Sequence, residues 1–389
     1  APSRRPGCAS EEQTSEGAAM ADTGPDDRGL SLDDLGREGE TDATRREAER
    51  TADDPWARIA QLKPWALTNE PEPRRWLLRA SSGERSPGFY PMGKVGILAA
   101  PGGTGKSMAL VGLSLAVASG RPWLQAGRGP QIPHGFRVDT PGRVALLLAE
   151  EDPEDVARRV FHTARLMGLS AEERARVRAR LYVAPLAGED VALVDADGER
   201  DPKADALFAR LKALREADPD GDDWAAVLVD PLSRFGGIGA ENDNALATRA
   251  IQALERLTRL PGNPAVLMAH HERKSGASGA SAAGAVRGSS AIVDGARWVA
   301  RLVPVLDRDG ERWKTSNGHA CTRLKVVKTN YTPPLDEDPM LVLDGDYNGA
   351  IRISNRAERK AHTANTAKPD KPTRRGRKPA PALTLDDLP

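Results

Sequence analysis

Cysteine is nearly absent from this chain. Cys8 and Cys321 are its two thiols in 389 residues, far apart and without metal-ligand spacing, which excludes a disulfide framework and a structural zinc site. Long apolar runs are missing as well. The longest, Met108 to Ala118, covers eleven residues and is interrupted by Gly112 and Ser114, well short of the roughly 20 that cross a bilayer. No membrane-spanning helix is expected, and the polar N-terminus lacks the apolar core of a secretory signal. These absences read as a cytoplasmic protein without a membrane partner. A net charge of one sign is also absent, at +0 overall.

That balance hides two oppositely charged ends. Residues 1–55 hold fifteen acidic and seven basic residues and no aromatic, too little apolar surface to offset the entropy of ordering. Residues 356–389 hold nine basic and four acidic residues, with several prolines and the cluster Arg374-Arg375-Gly376-Arg377-Lys378. Both ends are expected to be flexible tails, 1–55 acidic and disordered, 356–389 basic and disordered. Residues 56–90 carry Trp56, Trp65 and Trp76 among prolines. They read as an N-terminal arm that packs on a neighbouring subunit or caps a sheet.

Between the tails, residues 91–355 alternate short apolar runs with longer stretches of helical spacing, the pattern of βαβ units. Strands are expected at Lys94–Ala100, Arg143–Ala149, Leu181–Pro185, Ala225–Val229, Ala265–Ala269 and Trp298–Val305. Several are apolar throughout, as strands covered on both faces must be. Helices are expected at Gly105–Ser119, Pro153–Met167, Ser170–Arg180, Asp201–Ala217 and Asn244–Leu260. The fold class is α/β, a doubly wound, mostly parallel sheet without internal repeats.

The strongest motif is Pro101-Gly102-Gly103-Thr104-Gly105-Lys106-Ser107, followed by Met108, at a strand-to-helix junction. In that context it is a Walker A phosphate loop for ATP. Its glycines let backbone N–H groups turn toward phosphates, and the helix aims its positive end at the same place. Lys106 would contact the β- and γ-phosphates, and Ser107 would offer a hydroxyl to Mg²⁺. Ala100 stands where such loops usually have their first Gly. It is small enough to keep the turn.

Two apolar strands deliver carboxylates. Ala145–Ala149 ends in Glu150-Glu151-Asp152-Pro153, and Glu150 is the candidate that orients or deprotonates the attacking water. Glu151 assists it or faces solvent; Glu154 and Asp155 read as an acidic first helical turn, and Glu150 itself admits that plainer reading. Ala225–Val229 runs into Asp230-Pro231, the form of a Walker B metal site, although Asp before Pro also opens ordinary turns. Asn244 reads as the N-cap of the next helix.

A further strand ends in His270-His271-Glu272-Arg273-Lys274, a Gly/Ser/Ala loop spans Ser275–Ala285, and Arg287-Gly288-Ser289-Ser290 leads to Arg297-Trp298 and later to Lys325-Val326-Val327-Lys328-Thr329-Asn330-Tyr331. With the earlier motifs this colinear set resembles the RecA-like ATPases typified by the RepA-type hexameric helicases that replicate plasmids, over roughly residues 85–355. The resemblance implies a RecA-like core that assembles as a homo-oligomeric ring with ATP between subunits. It implies that His270 and His271 sense the γ-phosphate, that Arg297 is the arginine finger inserted into the neighbouring site, and that Lys328 is an interface lysine. Arg287 would be a second phosphate contact or the finger itself. Asn330 stands where many relatives carry Arg.

The loop at Lys274–Ala285 suits contact with single-stranded DNA through Arg273, Lys274 and Arg287, although it offers no aromatic ring for base stacking. The leading expectation is a Mg²⁺-dependent ATPase, a helicase moving on single-stranded DNA in plasmid or phage replication, with a replication initiator or primase as partner. Alternatives are a filament-forming recombination protein, a small-molecule P-loop kinase and a binding-only nucleotide switch.

Overall fold

The computed structural model describes residues 56, 59, 61, 67–80, 87–128, 135–195, 197, 200–272, 290–333 and 335–366. Contacts divide the chain between Glu72 and Pro73, and everything below concerns the second unit. In chain order it contains β1 (Trp76–Ala80), β2 (Gly88–Pro91), β3 (Val95–Ala100), α1 (Lys106–Ser119), β4 (Phe136–Val138), β5 (Arg143–Leu148), α2 (Pro153–Met167), α3 (Ala171–Arg180) and β6 (Leu181–Pro185). There follow α4 (Pro202–Glu216), β7 (Trp224–Asp230), α5 (Leu232–Phe235), α6 (Asn244–Leu257), β8 (Ala265–His271), α7 (Ser290–Gly295), β9 (Trp298–Pro304), β10 (Cys321–Thr329), β11 (Met340–Asp344), β12 (Ala350–Ile353) and α8 (Arg356–Thr366).

Nine strands form one sheet in the order β12-β11-β10-β9-β3-β8-β7-β5-β6. From β9 through β6 all neighbours are parallel, while β9, β10, β11 and β12 pair antiparallel. The doubly wound, mostly parallel α/β sheet of a RecA-like P-loop core is therefore present, with an antiparallel extension at one edge. Of its strands β9 was expected from sequence, and β10, β11 and β12 were not. β10 and β12 carry Arg323, Lys325, Lys328 and Arg352 on half-buried positions and so lack continuous apolar runs, while β11 is apolar only over the four residues Met340 to Leu343.

Alternation along each strand feeds two separate cores. Leu98, Ala100, Leu146, Leu148, Leu228 and Leu267 face α1 and α2, whereas Ile97, Ala99, Leu147, Val229 and Met268 face α4, α6 and α7. A step of one residue along a strand thus changes the face. On the first face β2, β1 and β4 make a small second sheet. Phe89 packs there on Phe136 and Trp298, with ring centroids 4.1 and 5.3 Å apart, and the Tyr90 hydroxyl donates to the Val266 carbonyl at 2.6 Å. β1 and β2, at the end of the stretch 56–90, belong to this small sheet.

Helix starts follow the local chemistry. Asp152 caps α2 by accepting from the Asp155 N–H at 2.8 Å, with Pro153 in the first turn, and Ser170 with Glu173 forms a capping box on α3. At α6 the cap is Asp243, which accepts from Ala245 and Leu246; Asn244, expected as the cap, is the first helical residue. Residues 356–366, read from the sequence as flexible tail, are helical. Arg352 reaches Asp344 at 2.7 Å and Glu358 at 2.9 Å, and these pairs fasten the start of α8 to the sheet. Among the described residues no helix is long and apolar enough to cross a membrane.

Candidate nucleotide-binding site

β3 is buried along its whole length and releases the chain at Pro101–Gly105. Gly103 and Gly105 have φ of 72° and 96°, the left-handed region in which glycine carries no Cβ penalty. A Cβ added at Gly102 or Gly103 would meet nothing within 4 Å, so the crown of the loop is open. The Thr104 hydroxyl donates to the Pro101 carbonyl at 2.6 Å and closes the turn. Ala100, the departure from the usual glycine, is fully buried in strand conformation, where an Ala side chain fits. α1, from Lys106 through Ser107 and Met108 onward, has no side-chain cap and no acidic residue in its first turn. Its leading N–H groups and positive dipole end remain free for an anion.

Ser107 hydrogen-bonds the carboxylate of Asp230, which stands at the end of β7. Burial pushes the Asp230 carboxyl above the usual aspartate range, and the Ser107 bond and the neighbouring Lys106 oppose that only in part. Lys106 is itself buried. Desolvation lowers its ammonium below the ordinary lysine value, against the pull of Asp230, Glu150 and Glu272. A hydroxyl and a carboxylate side by side are the hard oxygen donors that suit Mg²⁺. An aspartate that costs energy to ionise in the free protein is also one that a cation would relieve.

Glu150 follows β5 at the same sheet edge and is exposed. Its Oε2 lies 3.7 Å from Nε2 of His271 and its Oε1 4.0 Å from Nε of Arg234. Nδ1 of His271 lies 3.2 Å from Nζ of Lys106. Glu151 is engaged elsewhere, paired with Arg159 at 2.7 Å, and burial raises its carboxyl against the Arg159 charge. Strand alternation separates the two histidines. His271 faces the phosphate loop, whereas His270 is buried on the opposite face with Nδ1 3.4 Å from Glu241.

Two arginines that motif reading missed also reach this edge. Arg301 of β9 clasps the buried Glu272 through two bonds of 2.5 and 2.7 Å, which brings that carboxylate close enough to act on Lys106. Arg312, in the β9–β10 connection, donates from Nη1 to the Gly103 carbonyl at 3.0 Å. An acidic residue directly after a strand-terminal His pair was the available signal for Glu272. For Arg312 there was none, since it lies 209 positions from Gly103.

Arg297 and Lys328 stand elsewhere. The Arg297 N–H donates to the carbonyl of Val95, at the beginning of β3, while the phosphate loop follows its end. Six residues at about 3.3 Å each put roughly 17–20 Å of strand between them. Arg297 is exposed and has no ion-pair partner among the described residues. Lys328 Nζ donates to the Val293 and Asp294 carbonyls at 2.8 and 2.9 Å. Burial lowers its ammonium, Asp294 opposes this and Arg297 adds to it, so the two cations are neighbours. Asn330 donates its N–H to the Arg297 carbonyl. Arg273, Lys274, the Ser275–Ala285 loop and Arg287 lie outside the described residues.

The profile of a known family, described as an AAA domain, matches residues 53–277. That span is more than half of the chain and contains the phosphate loop, Glu150, Asp230 and His271. The chain belongs to this family of P-loop ATPases.

Proposed function

We propose that this AAA-domain ATPase is a Mg²⁺-dependent ring motor of the RepA type that acts on single-stranded DNA. Each catalytic centre is shared, with the phosphate loop from one protomer and Arg297 with Lys328 from the next. The observation that carries this reading is the position of Arg297, exposed and unpaired among the described residues at the sheet edge remote from its own loop. A permanently charged guanidinium that cannot reach the phosphates of its own protomer has its use in trans.

The geometry supports the following roles. Backbone N–H groups of Gly102–Gly105 and the start of α1 bind phosphate oxygens. Lys106 supplies the buried positive charge beside them. Ser107 and Asp230 would hold Mg²⁺, which when bound neutralises charge on the phosphates. Glu150, solvent-exposed and beside His271, orients the attacking water and takes its proton. His271 bridges Lys106 and Glu150 and so reports at the lysine what happens at the carboxylate. His270, buried beside Glu241, has no part at the phosphates.

ATP hydrolysis with and without single-stranded DNA, together with native mass, tests the reading. A closed ring whose hydrolysis rises with DNA supports it. An open filament points to a recombination protein, and a monomer indifferent to DNA points to a kinase or a nucleotide switch.

A further inference from the structure

Arg312 is an unusually placed cation. Its Nη1 is bonded to the carbonyl of Gly103, yet its Nε and Nη2 are buried without any hydrogen-bond partner. Among the described residues it forms no ion pair. Other inward-facing arginines among the described residues have a counter-charge: Arg143 bonds Leu214 and Asp218, Arg301 bonds Glu272, Arg352 bonds Asp344 and Glu358, and Arg121, whose Nε also lacks a hydrogen bond, lies 3.9 Å from Glu173. A guanidinium with two desolvated N–H groups and no counter-charge is costly, because such groups are almost always paired.

The side chain is not left there by a loose loop. The β9–β10 connection is bridged at Leu306/Arg312 and again at Lys314/Ala320. Trp313 is buried beside Val305 and Cys321, and Asp307 organises the turn through the N–H groups of Asp309 and Glu311. The structure therefore holds a cation beside the phosphate loop, while the crown at Gly102 and Gly103 stands open. The unbonded Nε–Nη2 edge is the two-donor fork that matches phosphate oxygens; both atoms are shielded from solvent here, so pairing requires the guanidinium to turn toward the crown.

We propose that Arg312 is a nucleotide-binding residue, its free guanidinium edge pairing with phosphate oxygens of the nucleotide bound on the loop of the same protomer. This rests on the ATP-binding reading of that loop. The residue lies beyond the matched family region of 53–277, so the antiparallel extension contributes to the site as well as edging the sheet.

The test compares ADP affinity and steady-state ATP hydrolysis for wild type, Arg312→Gln, Arg312→Lys and Lys106→Ala. Gln removes the charge and is too short to hold the Gly103 carbonyl, whereas Lys keeps a donor that reaches toward it, so a mere buttress would survive in Arg312→Lys. The expected result is about tenfold or greater loss of ADP affinity in Arg312→Gln, with KM for ATP raised similarly and kcat within about twofold, as for loss of a charged hydrogen bond in the ground and transition states alike. Arg312→Lys, a point charge without the fork, is expected to weaken ADP binding by about three- to tenfold. Should Arg312→Gln fail to fold, the lysine variant decides. ADP affinity equal to wild type in the folded variants, with Lys106→Ala impaired, overturns the role of Arg312 alone. No nucleotide binding by wild type overturns the ATP reading and this inference together.

Discussion

Nζ of Lys106 and Nδ1 of His271 lie 3.2 Å apart although 165 positions separate them in the chain. An ammonium has only donors, so Nδ1 accepts and the imidazole presents its Nε2–H toward Glu150, 3.7 Å away. Lys106 and Glu150, the residues we propose bind phosphate and activate water, are thereby brought to either side of one ring. The next residue back along β8, His270, is on the other face.

His271→Ala should therefore lower kcat by roughly 100-fold, the size of misplacing groups that the ring holds in position. His270→Ala should leave kcat within about threefold of wild type, because only local packing changes. Single-turnover hydrolysis of both variants checks this. Equal losses would contradict the assignment by face.

Asp230 gives a pH prediction of definite sign. Burial raises its carboxyl in the folded protein, so the stability linked to this group is fully present below the unfolded aspartate value. It is lost as pH rises through the higher folded value. Without nucleotide, Asp230→Asn should melt at a higher temperature than wild type at pH 8, and the gap should close toward pH 4. Its hydrolysis should fall at least about 100-fold, since the metal-side carboxylate is gone. Melting curves at both pH values and one activity assay suffice.

Much of this was legible in the sequence. The parallel strands announced themselves because burial on both faces demands continuous apolar residues, and Gly102 to Ser107 fixed the loop. The positions of Glu150 and Asp230 at strand ends followed from the apolar runs before them. β10 and β12 escaped because one of their faces is half exposed and carries Lys and Arg, and β11 because its apolar run is only four residues long. The Glu272–Arg301 and Arg312–Gly103 contacts escaped because long-range pairing leaves no local spacing. The face of each histidine needed only the strand period of two, once the end of β8 was known to extend to His271.

Glu272→Gln should cost about 3–5 kcal/mol of stability, since it leaves the Arg301 guanidinium largely buried and without its counter-charge. The urea midpoint, compared with that of an exposed control such as Glu154→Gln, measures it. A change below about 0.5 kcal/mol is what a surface pair would give.

Cys321 should be chemically silent. It is buried, and that burial pushes its thiol up to about 12, far from the thiolate that reacts. A thiol reagent at pH 8 should label it only after unfolding, which peptide mass mapping would show.

The shared catalytic centre is the claim on which the rest depends, and mixing two inactive proteins tests it most directly. Lys106→Ala lacks the loop cation, Arg297→Ala lacks the finger, and each alone should hydrolyse ATP at least about 1,000-fold more slowly than wild type. Mixed one to one and reassembled, one in four head-to-tail interfaces joins an intact loop to an intact finger, and activity should return to about a quarter of the wild-type rate. Activity in Arg297→Ala alone, or a mixture as inactive as its components, would contradict a site built from two protomers.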